Sequence, residues 1–513
     1  MAISEPSVTF SIIPASQISG VTEQKTLIVG QKLAAGTATA GDLIIDHPDD
    51  GSEDTLFGQR SHLAGMVRVF KRENKISQLD IIPLDDDGGA TQGTAVVDFT
   101  GSVATEAGSI NVIVGSEHDH NYEVGIAETD AETDIGDALV TLITADGDAP
   151  FTAANVAGVV TITAANGGSL SNDWGLKITG TVAGVTVTLT GWAGGATDPS
   201  LTGVLDVIGN IRYQTIVWPA VYDITVVGDD LDAKFNVTNN VLDGIALQGQ
   251  SDTLANLKSY VSTLNSQSIV VLGQKAISVA NDRIGPQTFE FLDNMAAEIA
   301  AIRALRLTDD AAITRYLTTV ASRDQFGGIA IGSLPYFNTS IPNAGIGSPK
   351  DDFSEEDLTE LRDNGVATYG PNRAYNGTIM GEFVTTYLTD VAGNPDTSYK
   401  FLNTVDTASL IREFYFNNFK RRYAQTRLTD GDLLAGRDMA NEASIRAFCN
   451  ELYDELADEA LTQKGVAAKK DYNDNLDIVV SVSQGKVEVY QSPLLVTAIR
   501  VIIGSIQINF GTD

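Results

Sequence analysis

Basic residues are scarce in this chain, histidine scarcer still, and cysteine almost absent. Lys and Arg number 33 against 67 Asp and Glu, a formal net charge of −34. Such a balance disfavours nucleic acid and anionic membrane surfaces, because phosphate contacts need cations. No direct nucleic-acid or membrane partner is therefore expected. The acidity reads either as solubility or as acidic outer faces that oppose basic patches on neighbouring copies. The lone cysteine, Cys449, excludes an intrachain disulfide. It stands at an apolar position of a helical pattern, where a buried small hydrophobe is expected, and it suits assembly in a reducing cytoplasm. Long apolar runs are also missing. The longest, Leu494 to Ile506, is interrupted by Thr497, Arg500 and Gly504 and is too short to span a bilayer. The first residues lack a basic stretch followed by an apolar one, so no secretory signal is expected. The Asn-x-Ser/Thr matches at Asn236, Asn338 and Asn376 then carry no weight.

The four histidines, His47, His62, His118 and His120, all precede residue 121. A Ser-His-Asp triad is therefore not expected in the α/β region that begins near 201. Cys449 has no histidine in its own region, which argues against a Cys-His nucleophile. The chain contains no Gly-x-Ser-x-Gly elbow, no phosphate-binding Gly-x-x-x-x-Gly-Lys-Ser/Thr and no dinucleotide fingerprint after a strand. Neither catalysis nor a cofactor is expected. Glu117-His118-Asp119-His120 has the chemistry of a metal site, but consecutive strand residues point to opposite faces, and a solvated loop is the better reading. The pairs Asp229-Asp230 and Asp309-Asp310 read as helix starts or turns, and EF-hand spacing is lacking.

What is present is a globular composition, 43% apolar and 19% charged over 513 residues, enough for two to four domains. Residues 1–25 read as an arm whose extended pattern stops at Pro14. Residues 26–85 are α/β, with Thr26–Gly30 and Leu79–Pro83 extended and a helical pattern through Leu63, Met66, Val67 and Phe70. From 86 to 200 the Thr- and Gly-rich composition predicts a β-rich inserted domain. Its expected strands are Ser109–Val114, Gly158–Thr163, Leu176–Thr181 and Val185–Leu189, with one helix over Asp134–Thr144.

Residues 201–350 alternate strands and helices, which implies a mostly parallel sheet. Helices are expected over Val226–Asp243, Leu254–Leu264 and Thr288–Leu307. The last carries Phe291, Met295, Ile299 and Ile302 on one face. Residues 351–475 read as mainly helical, and Leu476–Val482, Lys486–Gln491 and Leu494–Phe510 as extended. A helix opens at Ser354, another is capped by Asp406 and runs to Tyr423, and a third spans Asn441–Gln463. Residues 486–513 are extended.

Several stretches resemble one family in order and spacing. Phe57-Gly58-Gln59-Arg60-Ser61-His62-Leu63-Ala64-Gly65-Met66, running on to Ile81-Ile82-Pro83-Leu84-Asp85, resembles the N-terminal signature of Mu-type contractile tail sheath proteins. Ser7–Phe10 with Lys25–Gln31, Ile211-Arg212-Tyr213-Gln214, Arg422–Asp432 and Val501–Gln507 are similar to the same group.

The resemblance implies a multidomain α/β and α+β protein. It has a doubly wound, subtilisin-like core over 201–350 without a catalytic triad and an outer β-rich insert. A C-terminal domain at 351–485 lies against an inner tube. The terminal β-arms would add strands to neighbouring copies through Val8, Phe10, Ile12, Val487, Val489, Val501, Ile503, Ile506 and Ile508. Lys420, Arg421, Arg422 and Arg427, with no acid between them, are the candidate attachment to the inner tube. Implied partners are further copies in helical, sixfold stacked rings, the tube protein, and baseplate and neck or tail-terminator proteins. The implied location is the virion tail, assembled in the host cytoplasm. Alternatives are the sheath of a bacteriocin-like particle, another self-assembling virion part and a subtilisin-like hydrolase.

Overall fold

The computed structural model describes residues 24–235, 241–280, 283–286, 290–307, 336, 339–342, 344, 353–371, 377–434, 437–458 and 461–496. Strand β1 (Lys25–Lys32) is buried on both faces along Thr26–Val29. The chain then turns through α1 (Glu53–Phe57) into α2 (His62–Glu73). Ser61 caps α2, its hydroxyl accepting the Ala64 amide at 3.1 Å, which satisfies one of the orphan donors of the first turn. Strand β2 (Gln78–Asp85) returns parallel to β1.

The segment that follows forms its own β-rich body. It comprises β3 (Thr94–Asp98), β4 (Gly108–Val114), β5 (Asn121–Ile126), α3 (Glu132–Ala145), β6 (Phe151–Val156), β7 (Val159–Ala164), β8 (Leu176–Thr179) and β9 (Thr188–Ala193). Strands β6-β7-β3-β9 make an antiparallel sheet whose buried residues alternate with exposed ones, as in Val160, Ile162 and Ala164 of β7. That is the pattern of a sheet wet on one face. The extended stretch expected at Val185–Leu189 begins three residues later, because Gly184 takes a positive φ of 82° and Val185 closes a turn onto Val182.

The core resumes with α4 (Val204–Ile208), β10 (Thr215–Val217), α5 (Thr225–Phe235), β11 (Ile245–Asp252), α6 (Leu254–Val261), β12 (Ile269–Ala280), β13 (Arg283–Pro286), α7 (Leu292–Leu307), β14 (Ser340–Ile341), α8 (Glu355–Asp363), β15 (Val366–Pro371) and β16 (Thr378–Met380). Six strands in the order β2-β1-β10-β11-β12-β15 run parallel. Alternate side chains feed two cores. Ile28, Val217 and Leu247 face α2 and α7, while Leu27, Val29 and Ile216 face α4, α5 and α6. Helices on both faces of a parallel sheet bury strands completely. The region expected to be mainly helical from 351 opens with the expected helix, α8, but then contributes the strand β15 to this sheet.

Strand β12 is twelve residues long and serves two sheets. Its first half pairs in parallel with β11 and β15, and its end pairs antiparallel with β13, which continues through β8 to β4 and β5. The insert is therefore stitched to the core by a continuous ladder. The helix expected at Thr288–Leu307 has no single apolar face. All sixteen residues of α7 are buried, including Asp293, Glu298, Arg303 and Arg306.

The C-terminal lobe contains α9 (Leu402–Tyr423), β17 (Arg427–Leu428), β18 (Met439–Ala440), α10 (Glu442–Asp458), α11 (Val466–Asn475), β19 (Asp477–Ser481) and β20 (Lys486–Tyr490). At 1.5 Å per residue, the 22 residues of α9 extend about 33 Å. Its first turn, Leu402 and Val405, packs in the sheet's core. Its later face, Ile411, Phe414 and Tyr415, packs on Leu452 and Leu456 of α10. One helix thus bolts the lobe to the sheet. Cys449 is fully buried in the lobe, and burial pushes its thiol up to about 11.

Candidate functional site

The joint between α9 and the sheet concentrates charge that reading by pattern missed. Asp406 is no cap. It lies inside α9, 2% exposed, because the helix begins four residues earlier at Leu402. Its carboxylate accepts Arg303 Nη2 at 2.5 Å and the Tyr336 hydroxyl at 2.5 Å. Arg303 also donates to the Gln214 carbonyl at 2.5 Å. Two turns further along α9, Glu413 takes Arg212 Nη1 at 2.6 Å, and Asp243 takes Arg412 Nη2 at 2.8 Å. Arg212 and Gln214 belong to the Ile211–Gln214 stretch singled out in the sequence. Arg212, Gln214, Asp243, Arg303, Asp406 and Glu413 line a cleft at the amino ends of β1, β10 and β11. Open α/β sheets take ligands at the carboxyl ends, so the cleft's place suits a mechanical joint.

The carboxyl ends are filled by the chain itself. The strand order reverses between β1 and β10, which makes the crevice there the expected ligand position. The insert occupies it. Asn166 Nδ2 donates to the Lys32 carbonyl at 3.1 Å, and Gln31 Nε2 donates to the Gly167 carbonyl at 2.7 Å. Asn166 Oδ1 also takes the His62 amide at 2.9 Å.

His62 itself corrects the argument from histidine spacing. Residues 26–85 share the sheet with 201 onwards, so α2 carries a histidine into the core. Its Nε2 lies 3.1 Å from Asp293 Oδ2, with the ring stacked at 5.9 Å on Trp174. The pair sits under this plug at 2% and 1% exposure.

The Glu117–His120 run lies in the turn between β4 and β5, and its side chains diverge. Glu117 meets Lys177 at 3.2 Å, exposed His118 meets Asp119 at 2.7 Å, and buried His120 turns to Asp146 at 2.9 Å. Among the described residues no group of three His, Cys, Asp or Glu is placed to hold a metal, and no helix is long and apolar enough to cross a membrane.

Lys420, Arg421 and Arg422 are exposed on the last turn of α9, and exposed Arg427 follows on β17. Lys420 lies 5.7 Å from the Phe416 ring centre, and Arg421 donates to Asn418 at 2.5 Å. Cations are favoured at a helix carboxyl end. The helix expected at Asn441–Gln463 has its described end at Asp458, and a further helix, α11, starts after Gly465. The helix expected at Val226–Asp243 has its described end at Phe235.

Of the residues expected to exchange strands, Val8, Phe10, Ile12, Val501, Ile503, Ile506 and Ile508 lie outside the described residues. Val487 and Val489 require a correction. They stand opposite Val480 and Ile478 in a hairpin of the chain's own β19 and β20. Residue 486 therefore does not begin a segment without a local partner. The hairpin forms because Gly485 adopts a left-handed φ of 60° at the turn, a conformation that costs glycine little. The tether persists to Val496, whose amide donates to the Leu461 carbonyl at 3.1 Å.

No protein-family model matches the chain. A Mu-like prophage FluMu tail sheath protein of Haemophilus influenzae is 24% identical over 441 residues, 84% of this chain and 82% of that protein. Among solved structures, the sheath tail protein of Desulfitobacterium hafniense aligns with a TM-score of 0.45 at 11% identity, over 95% of this chain and 97% of that one. The helical sheath of the anti-feeding prophage in its contracted state aligns with a TM-score of 0.45 at 11% identity, over 99% of both chains. The chain is thus similar to a Mu-like tail sheath protein over more than four fifths of each chain.

Proposed function

We propose that the chain is the sheath subunit of a contractile tail: it polymerises helically around an inner tube and contracts to drive that tube through a host envelope. The observation that carries this reading is the likeness to a tail sheath protein along most of both chains. Sixfold stacked rings, contact with baseplate and neck or terminator proteins, a place in the virion tail and assembly in the host cytoplasm follow from the same reading. So does kinship of the parallel core with the subtilisin-like fold.

The physics suits it. Among the described residues the sheet of β19 and β20 has two strands, and such a pair is marginal alone. It leaves backbone groups on its outer edges and exposes Val479, Val482 and Tyr490. A neighbour's terminal arm added there satisfies those groups. A contact of this kind, repeated with rotation and rise, builds an open helix. Residues 1–23 and 497–513, with Val8, Phe10, Ile12, Val501, Ile503, Ile506 and Ile508, are the proposed arms. Lys420, Arg421, Arg422 and Arg427 are the proposed tube contact. Exposed ion pairs contribute about 1 kcal/mol or less each, weak enough to release when the lattice changes. Contraction is a change between two packings of the same subunits, and it needs no nucleotide.

Electron microscopy of the purified full-length chain tests this. Striated hollow tubes are expected. A protein that stays monomeric at high concentration, alone and with tube protein, would sink the reading. A bacteriocin-like particle would use the same subunit, and only the presence of a head distinguishes it.

A further inference from the structure

We propose that Asn166-Gly167 is a self-modifying step, at which Asp86 catalyses closure of the Asn166 side chain onto the Gly167 nitrogen with loss of ammonia. Such a closure needs a base at the Gly167 N–H, a donor at the amide oxygen and a proton for the departing nitrogen. Gly167 N donates to Asp86 Oδ2 at 2.8 Å, and Asn166 Nδ2 donates to Asp86 Oδ1 at 2.9 Å. One carboxylate therefore touches both the nitrogen that must lose a proton and the nitrogen that must gain one. Asn166 Oδ1 takes the amide of His62, the first residue of α2, at 2.9 Å. The amino end of a helix carries partial positive charge, which favours an oxyanion at that oxygen. Gln31 Nε2 fixes the base, donating to Asp86 Oδ1 at 3.0 Å and to the Gly167 carbonyl at 2.7 Å. Asn166 and Gln31 are 6% and 2% exposed, so the group is held in a dry frame.

The atoms balance. Gly167 N attacks Asn166 Cγ as its proton passes to Asp86. Asp86 then protonates Nδ2, the Cγ–Nδ2 bond breaks, ammonia leaves, and a five-membered succinimide remains beside an ionised Asp86. No co-reactant is consumed. Gly167 suits the attacking position because it has no Cβ to crowd the approach. Burial slows the water that would open the ring, so the ring is the product that accumulates. The closed ring has neither N–H. Asp86 loses both donors, and the Lys32 carbonyl loses the bond it now takes from Asn166 at 3.1 Å. The step therefore loosens the insert's seat at the end of β1, and the lost ammonia makes it irreversible.

Asn364-Gly365 is the other Asn-Gly step among the described residues and serves as the control. Asn364 Nδ2 bonds the Glu360 carbonyl at 2.7 Å, and Gly365 N bonds the Arg362 carbonyl at 3.2 Å. A carbonyl is no base for the step. Peptide mapping by mass spectrometry follows both asparagines in the full-length chain, native and in urea. In urea both are expected to convert at similar rates that rise with hydroxide. In the native chain Asn166 is expected to outpace Asn364, and its own rate in urea, by about tenfold or more. The product is expected to be lighter by one ammonia. Its native rate is expected to stay nearly level across about pH 6 to 8, because hydroxide is not the base. Asp86→Asn is expected to slow native Asn166 about a hundredfold, the lower end of general acid–base catalysis. Native conversion at or below the rate in urea would overturn the proposal, and this comparison stands even where the variant does not fold. A native rate that tracks hydroxide, or a folded Asp86→Asn that converts like wild type, would overturn it too.

Discussion

Arg303 and Asp406 meet at 2.5 Å with side chains 4% and 1% exposed, one on the central helix α7 and the other on α9. The pair joins the sheet to the C-terminal lobe from almost wholly buried positions. Removing one member of a buried ion pair strands the other charge and costs about 3–5 kcal/mol. Asp406→Ala is therefore expected to lower stability by that amount, measured by urea unfolding. Arg303→Met/Asp406→Leu is expected to recover much of the loss, since neither member of the pair is left as an uncompensated charge. Unfolding of Asp406→Ala at the wild-type midpoint would contradict the role.

Phe291 pins the insert to the core. It directly precedes α7, yet its ring packs among the insert's residues, 4.8 Å from Trp174 and 5.8 Å from His120 between ring centres. Gly115 makes room for it, since a Cβ there would lie 2.0 Å from the ring. Phe291→Ala is expected to cost about 3–5 kcal/mol. Amide exchange is expected to quicken first in β4 and β8, with β1 and β11 still protected. Uniform quickening across both bodies would show that Phe291 does not act at the joint.

Much of this architecture was legible beforehand, and the failures have physical causes. The strand at β7, the helical pattern through Leu63, Met66, Val67 and Phe70, the helix opening at Ser354 and the short buried run of β1 are local signals, and the elements stand within a few residues of expectation. Asp406 was read as a cap because acids favour helix starts. Its real partner, Arg303, is 103 residues away, and no local pattern reports that. The same holds for His62, brought beside Asp293 by a sheet that joins segments on both sides of the insert. The hairpin of β19 and β20 hid because two adjacent strands resemble an arm until their register is known. Of the candidate sites, the basic cluster was readable from consecutive cations, whereas the meeting of Asp86 with Asn166 was not, because the two lie 80 residues apart.

Two carboxylates predict opposite pH behaviour. Burial pushes the Glu290 carboxyl well above its ordinary 4.5, and the nearby Asp119 charge adds to this, against the 2.8 Å hydrogen bond from Ser116. The native state then keeps a proton that the unfolded chain releases, so stability at this site is full below about 4.5 and falls as pH rises beyond it. Glu290→Gln is expected to remove that fall.

Asp146 behaves in reverse. Burial alone would raise it, but hydrogen bonds from His120 and Tyr122 hold it down to about 2. Its contribution is present above about 4 and is lost as pH falls through about 2. Asp146→Asn is expected to be less stable than wild type near neutrality and equal to it in strong acid. Urea midpoints across pH check both, and parallel curves for wild type and either variant would refute the corresponding assignment.

The chain ends provide the last test, and the hairpin dictates where to cut. A deletion from 486 removes β20 and unpairs β19, so a failure to assemble would report only a damaged lobe. Cutting after Val496 leaves the hairpin, the Leu461–Val496 hydrogen bond and the packing of α9 on α10 in place. Cutting before Gln24 leaves β1 whole, with Lys25 N still bonded to Gln214 Oε1 at 2.8 Å. Chains lacking 1–23 or 497–513 are therefore expected to melt within about 1 kcal/mol of wild type, as for changes away from packed features. Both are expected to remain monomeric in sedimentation under conditions where the full chain forms tubes. A mixture of the two deletions should also fail to form long tubes, because each junction needs both arms. Normal tubes from either deletion alone would mean that the lattice is held by the folded bodies and not by borrowed strands.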